Sequence, residues 1–145
     1  MEKRVNIQNS HPDIYKAMFG LSVVISKSGL SPILTHLIKV RASQLNSCAF
    51  CINMHTKEAL NIGESQQRLF LLSAWRETDL FTEEEKAVLV LTEEVTLIHQ
   101  GGVSDRTYAQ ALKFFSEETI GEIIMSIVLI NSWNRIAIST QLVPQ

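Results

Sequence analysis

Signals that begin and end α-helices recur along this 145-residue chain and constrain its fold more than any other feature. Thr82 precedes three consecutive glutamates, a capping box whose acidic residues suit the positive end of a helix dipole. Gly29, Gly63 and the pair Gly101-Gly102 follow apolar-periodic stretches, and glycine is typical of helix ends. Strand signals are scarce by comparison. The sequence therefore predicts an all-α fold, a compact bundle of about six to seven helices.

The predicted helices can be bounded from these signals. They run from about Pro12 to Ser28, from Pro32 to Leu45, from the segment of Cys48 to Ile62, from Ser65 past Trp75, from Thr82 to His99 or Gln100, from Ser104 to Phe115, and from Ser116 to Thr140. Asn46 or Ser47 is the predicted N-cap of the third helix. The last helix is apolar on most sides, which predicts burial on most sides, partly against another subunit.

Composition narrows the class of protein. The net charge is −2 and the basic residues are scattered, which gives no electrostatic case for binding nucleic acid. The longest apolar stretch, Ile120 to Ile130, contains Glu122 and is too short to span a bilayer. The polar N-terminus from Met1 to Ser10 lacks the apolar region of a signal peptide. We expect one domain, residues 1–145, in the cytoplasm.

The only two cysteines, Cys48 and Cys51, lie three residues apart, and His55 follows four residues later. In a helix these three side chains share one face. A structural disulfide is not expected in a cytosolic chain, so the pair is interpreted as redox-active or metal-binding. A thiolate near the positive end of a helix is stabilised, and His55 can take the proton of Cys51. If peroxide oxidises Cys51 to a sulfenic acid, Cys48 can condense with it to a disulfide.

Two other interpretations of this segment remain open. His36 lies twelve residues before Cys48, so His36, Cys48, Cys51 and His55 would make a Cys2His2 zinc set. Structural ligand pairs of this spacing usually lie on a turn rather than along a helix. Alternatively, both cysteines are small buried hydrophobic residues and His55 is an ordinary, partly buried histidine.

The residues also carry a family resemblance. The stretch from Ile38 to His55, IKVRASQLNSCAFCINMH, resembles the core motif of the carboxymuconolactone decarboxylase family, and more narrowly of its alkyl hydroperoxidase D branch. Further likeness lies in Gly63-Glu64, Gln67-Arg68-Leu69, Ala74-Trp75-Arg76-Glu77, Leu91-Thr92-Glu93 and Asn131-Ser132-Trp133-Asn134-Arg135. Together these segments extend the resemblance over about residues 10–140.

The resemblance implies an all-α homo-oligomer, a trimer or hexamer, with the site near subunit contacts. It implies reduction of a hydroperoxide substrate by the cysteine pair, restored by a dithiol reductant protein, with no metal or organic cofactor. Cys51 matches the thiol that attacks peroxide, Cys48 the resolving thiol and His55 the proton-relay histidine. Two alternative functions remain open. The first is the cofactor-free lyase chemistry of the decarboxylase branch. The cysteine pair argues against it, because that chemistry needs no vicinal thiols. The second is a non-catalytic zinc-binding or redox-sensing oligomer that uses His36.

Two positions depart from the family pattern. The family's glutamate twelve residues before the first cysteine is His36 here, and the best-known members have histidine where this chain has Phe50. His36 can accept a proton but cannot supply a permanent negative charge. We therefore expect peroxidase activity that is reduced, altered in its pH dependence or lost. Glu93 or Glu94 could supply a substitute carboxylate, although the favoured interpretation is that one of them is solvated and the other hydrogen-bonded, and Arg135 could pair with one of them.

Overall fold

The computed structural model describes residues 4–144 and confirms the all-α prediction. Its helices are α1 (Ile7–Ser10), α2 (Pro12–Ile25), α3 (Pro32–Leu45), α4 (Ala49–Asn61), α5 (Gln66–Leu71), α6 (Glu83–Thr96), α7 (Asp105–Ala111) and α8 (Glu117–Ser139), with 3₁₀ segments at Leu72–Glu77 and Ile98–Gln100. Within residues 4–144, none of the helices has the length and apolar character needed to cross a bilayer. Residues 1–3, on which the expected absence of a signal peptide partly depends, lie outside the described part.

Side chains cap most of the predicted helix starts. Thr82 and Glu85 form the reciprocal capping box at the start of α6. The serines that precede α3, α5, α7 and α8 each accept a hydrogen bond from the backbone N–H three residues later, and they are Ser31, Ser65, Ser104 and Ser116. These caps satisfy N–H groups that have no partner within the helix, so the starts of five helices are fixed by local chemistry.

Several helices end earlier than the sequence predicts. α2 ends at Ile25 and not at Ser28, and α7 ends at Ala111 and not near Phe115. α6 ends at Thr96, after which the chain tightens into the 3₁₀ segment Ile98–Gln100. Tightened last turns of this kind are common at helix ends, where intrahelical hydrogen bonds run out.

Helix α3 lies at the centre of the fold, packed against α4, α6 and α8. One of its faces joins an apolar cluster with α6, α7 and α8, formed by Leu34, Ile38, Ala42, Val88, Leu91, Ala111, Ile120, Ile123, Ile127 and Ile130. The other joins α4, α5 and α6 through Leu37, Val40, Ala59, Leu69, Leu72, Trp75, Phe81 and Leu89. Because α3 is clamped on two sides, its C-terminal end is a rigid platform for the segment that follows it.

Candidate functional site

The cysteine segment begins at the turn that closes α3. Ser47 takes a left-handed conformation with φ 56°. The N–H of Cys48 donates to the carbonyl of Ser43 at 2.9 Å, and the N–H of Ser47 donates to that of Gln44 at 3.1 Å. This pair of bonds is the Schellman motif that ends many helices. The motif reverses the chain within two residues and delivers Cys48 directly to the start of α4.

Cys48 is itself the N-cap of α4, so the prediction that Asn46 or Ser47 has this role is wrong. Cys48 has extended backbone angles, and its Sγ accepts a hydrogen bond from the N–H of Cys51 at 3.4 Å. Asn46 and Ser47 are not available as N-caps because the closing turn of α3 uses them. Cys51 therefore lies at the third position of α4, close to the positive end of its dipole.

A buried polar network fastens this turn to α8. The Asn46 side-chain amide donates to the side-chain oxygens of Asn131 and Asn134, both at 2.9 Å. Asn134 is fully buried and donates in turn to Ser43 Oγ at 3.0 Å. Sequence reasoning missed this role, although two asparagines on the wide apolar face of the last helix were a visible signal. Buried amides that satisfy one another in this way fix a geometry more strictly than apolar packing does.

The structure joins Cys48 and Cys51 as a disulfide, with their Cα atoms 5.3 Å apart. Both residues are almost completely buried, and they pack against Ala137 of α8, with Phe50 partly covering them. Sulfur atoms bonded to each other are not thiolate ligands, so this state does not present the Cys2His2 zinc set. The pair is instead within bonding distance, as a resolving step requires.

His55 lies one turn after Cys51 on α4 and is 6% exposed. Its Nδ1 is 2.8 Å from Glu58 Oε2. Since an ionised carboxylate only accepts hydrogen bonds, Nδ1 carries the proton and Nε2 is left with a lone pair. Burial lowers the pKa of His55, and the hydrogen bond to Glu58 offsets this only in part. The ring is therefore neutral near pH 7 and able to accept a proton.

His36 approaches the same carboxylate from α3. Its Nδ1 lies 3.9 Å from Glu58 Oε2, and its ring centroid is 6.4 Å from that of His55. This nitrogen is buried and has no hydrogen-bond partner. Burial also lowers the pKa of His36. Glu58, which is 45% exposed, thus stands beside two histidines, and sequence reasoning missed it, although its spacing of three residues from His55 places it on the same helical face.

Glu93 has a structural role in the fold. Its Oε1 accepts hydrogen bonds from Arg41 Nε and Trp75 Nε1, both at 2.8 Å, and its Oε2 pairs with Arg76 at 2.6 Å. Both of its oxygens are engaged, so Glu93 is a hydrogen-bonded structural residue. Glu93 joins α3, the 3₁₀ segment and α6.

Glu94 and Arg135 likewise bind structural partners. The carboxylate of Glu94 accepts hydrogen bonds from the backbone N–H of Ser104 and the hydroxyl of Thr107, which holds the start of α7 against α6. Arg135 donates to the backbone and side-chain oxygens of Asn131. Its predicted pairing with a glutamate of α6 is wrong, because a closer acceptor lies one turn earlier on its own helix.

Comparison with known proteins identifies relatives that match most of the chain. The sequence profile of the carboxymuconolactone decarboxylase family matches residues 12–94. The protein YdfG of Bacillus subtilis (strain 168), which is uncharacterized, is 40% identical over 139 residues, covering 96% of this chain and 95% of YdfG.

Solved structures are similar as well. ATU0492 of Agrobacterium tumefaciens is a protein of unknown function, provisionally assigned as the antioxidant defence protein AhpD. It is 39% identical, with a TM-score of 0.96 and 99% of each chain covered. The alkylhydroperoxidase AhpD core of a peroxidase-related protein from Ralstonia eutropha JMP134 has a TM-score of 0.84 over 95% of this chain and 74% of its own. At 17% identity, this second likeness concerns the fold alone.

Proposed function

Because this chain belongs to the carboxymuconolactone decarboxylase family, we propose that it is a thiol-dependent peroxidase or disulfide oxidoreductase that reduces alkyl hydroperoxides. The observation that carries this proposal is the arrangement at the start of α4. Cys48 and Cys51 are close enough to bond, and His55 follows one turn later, held by Glu58. The family-level role is peroxidase-related, and antioxidant defence is the use we propose for it.

In the reduced protein, Cys51 is the attacking thiol. Its place in the first turn of α4 favours the thiolate, because the unpaired N–H groups and the helix dipole stabilise negative charge there. His55 accepts the thiol proton at Nε2, the nitrogen that its bond to Glu58 leaves free. Glu58 then stabilises the imidazolium that forms. A thiolate and a proton donor are thereby produced side by side.

The reaction then proceeds without a metal or an organic cofactor. The Cys51 thiolate attacks one peroxide oxygen, the O–O bond breaks, and the alcohol leaves with the proton from His55. Cys51 is now a sulfenic acid. Cys48 attacks its sulfur, which forms the disulfide and releases water. A dithiol reductant protein, by thiol–disulfide exchange, returns the two electrons and two protons that the peroxide consumed.

We propose that Glu58 takes over the role of the glutamate that the family pattern has and this chain lacks. A position twelve residues before Cys48 normally supplies the carboxylate, and here that position is His36. The carboxylate instead reaches His55 from within α4, three residues further along the same helix. The relay therefore keeps its negative charge although the upstream position has lost it.

We also propose that the chain assembles as a homo-oligomer, a trimer or a hexamer. None of the residues of α2 is buried, and Ile14, Phe19 and Val24 are each more than half exposed. A helix that leaves several large apolar side chains exposed in this way is typical of one that a second copy covers.

Titration of thiols tests the proposed chemistry. One equivalent of an organic hydroperoxide should convert the two free thiols of the reduced protein to none. Cys51→Ser should abolish peroxide consumption, while Cys48→Ser should still consume one equivalent and accumulate a sulfenic acid at Cys51, detectable by dimedone labelling and mass spectrometry. The matched pair identifies which thiol attacks. Retention of both thiols in the presence of peroxide would show that the protein is not a peroxidase.

A further inference from the structure

We propose that His36, His55 and Glu58 form a binding site for a divalent transition-metal cation of the zinc type, with one ligand atom from each. The site uses neither cysteine, so it exists while the pair is a disulfide. It shares His55 and Glu58 with the peroxidase chemistry proposed above, but its existence does not depend on that chemistry.

The three residues already converge. One ligand atom from each lies within 4.8 Å of the other two, in the part of the chain that the structure describes. Glu58 Oε2 is 2.8 Å from Nδ1 of His55 and 3.9 Å from Nδ1 of His36. A tetrahedral ion with bonds of about 2.0–2.1 Å needs ligand atoms about 3.4 Å apart, which small rotations of these side chains provide.

The ring of His36 gives an independent observation that favours a ligand at this place. Its Nδ1 is buried without any hydrogen-bond partner, which is costly for a polar atom. The nitrogen faces a carboxylate oxygen at a distance too long for a hydrogen bond. A cation between the two would satisfy both at once.

The donor set selects the kind of ion. Two imidazole nitrogens and one carboxylate oxygen suit zinc and similar transition metals, and the same combination recurs in zinc enzymes with an open fourth position. Calcium and magnesium prefer an all-oxygen shell, so they should bind poorly. Glu58 is partly exposed and gives an ion a path from solvent.

Lys39 limits the affinity of this site. It lies close enough for its charge to act on both His36 and His55. A divalent cation at the site would be repelled by the positive charge of Lys39, and Glu58 neutralises only one of the positive charges present. We therefore expect a dissociation constant in the micromolar range rather than the much tighter values of structural zinc sites, and tighter binding when Lys39 is replaced by an uncharged residue.

Occupancy of the site has a consequence for the thiols, which holds only if the proposed function is correct. A cation on Nδ1 of His55 displaces the proton from that nitrogen and leaves it on Nε2. His55 can then no longer take the proton of Cys51. Zinc at micromolar concentration should consequently slow thiol oxidation, and a chelator should restore the rate.

The proposal is tested by calorimetric titration of the oxidised, disulfide-containing protein with zinc chloride. We expect binding of one ion per chain, no binding of magnesium, and cobalt absorption bands typical of a nitrogen- and oxygen-liganded ion. His36→Gln and Glu58→Gln should each weaken zinc binding at least tenfold, and Lys39→Gln should strengthen it severalfold. His99→Gln, which changes an exposed histidine elsewhere, is the matched control and should bind as the wild type does.

Three results would overturn the proposal. One is an oxidised wild type that binds no zinc. Another is binding that survives both His36→Gln and Glu58→Gln, since that would place the ion elsewhere. The third is zinc binding that appears only after reduction, because such an ion is held by the cysteines. None of these results bears on the peroxidase proposal, which is measured by thiol loss in metal-free buffer.

Discussion

Glu58 is the residue on which the proposed chemistry of His55 most directly depends. Its carboxylate fixes the proton on Nδ1 and stabilises the imidazolium that forms when Cys51 ionises. Replacing it by glutamine keeps the shape and removes the charge. We expect Glu58→Gln to slow the oxidation of Cys51 by peroxide by roughly tenfold or more, measured as thiol loss in stopped-flow experiments with metal-free protein.

The neighbouring His36 allows a rescue experiment. A glutamate at position 36 would place a carboxylate on α3, at the position where the family carries one and near His55, whose ring centroid lies 6.4 Å from that of His36. His36→Glu should therefore restore most of the rate that Glu58→Gln removes. His99→Glu in the same background adds an equal charge at an exposed position outside α3 and α4 and should restore nothing. Equal rates in the two double variants would refute a positioning role for the carboxylate.

At the scale of single residues, the sequence identifies those site residues that local spacing along one helix brings together. Cys48, Cys51 and His55 are recognisable because one helix face brings them together. Glu58 has the same local relation to His55, yet its importance emerges only when α3 carries His36 to within 3.9 Å of it. That approach depends on packing between two helices, which no local pattern encodes.

At the scale of the elements, the turn between α3 and α4 places the thiols. Ser47 holds φ 56° there, a conformation that costs residues with a Cβ about 1–2 kcal/mol and glycine almost nothing. Glycine also loses more entropy on folding, by about 0.5–1 kcal/mol. Ser47→Gly should therefore raise the free energy of unfolding by about 0.5–1 kcal/mol, measured by urea denaturation of the oxidised protein.

A control for this change lies in α8. Ser132 has the same side chain but lies within a regular helix. Ser132→Gly should lower stability by about 0.5 kcal/mol, because glycine is the poorer helix former. If both variants are destabilised, the left-handed conformation at Ser47 is not a source of strain.

The starts of α3, α5, α6, α7 and α8 were predictable because a serine or threonine side chain caps each of these five helices. The start of α4 was predicted wrongly, although Asn46 and Ser47 are residue types that often cap helices. Asn46 turns toward Asn131 and Asn134 of α8, some 85 residues away along the chain. Tertiary partners outweigh local preference there, and Cys48 becomes the cap.

At the scale of the whole molecule, Glu93 connects three elements and makes stability depend on pH. Burial raises its pKa, but the hydrogen bonds from Arg76 and Trp75 and the charge of Arg41 outweigh this and lower it. A carboxyl whose pKa is lower in the folded state stabilises the protein above its unfolded pKa, about 4.5, and less as pH falls through the folded value. Stability should consequently decline below about pH 5.

Glu93→Gln isolates this contribution. The variant leaves Arg41 and Arg76 without a counter-charge, and we expect it to cost about 2 kcal/mol at pH 7. The difference between wild type and variant should shrink as pH falls toward 3, measured by urea denaturation at several pH values. A difference that is the same at every pH would mean that the charge of Glu93 contributes nothing.

The exposed apolar side chains of α2 argue for assembly of several copies. Tyr15 packs edge-on against Trp133 of α8 at 5.5 Å, which fixes α2 on the molecule and leaves Phe19 and Val24 facing outward, 57% and 68% exposed. We expect the protein to sediment as a trimer or hexamer of its 16.3 kDa chain. The double variant Phe19→Glu/Val24→Glu should dissociate to monomers, because buried carboxylates without partners oppose association. Phe70→Glu, at a 76% exposed position on α5, is the matched control and should leave the assembly intact. A monomeric wild type in analytical ultracentrifugation would refute the assembly, and α2 would then be an apolar surface that the protein keeps open to solvent.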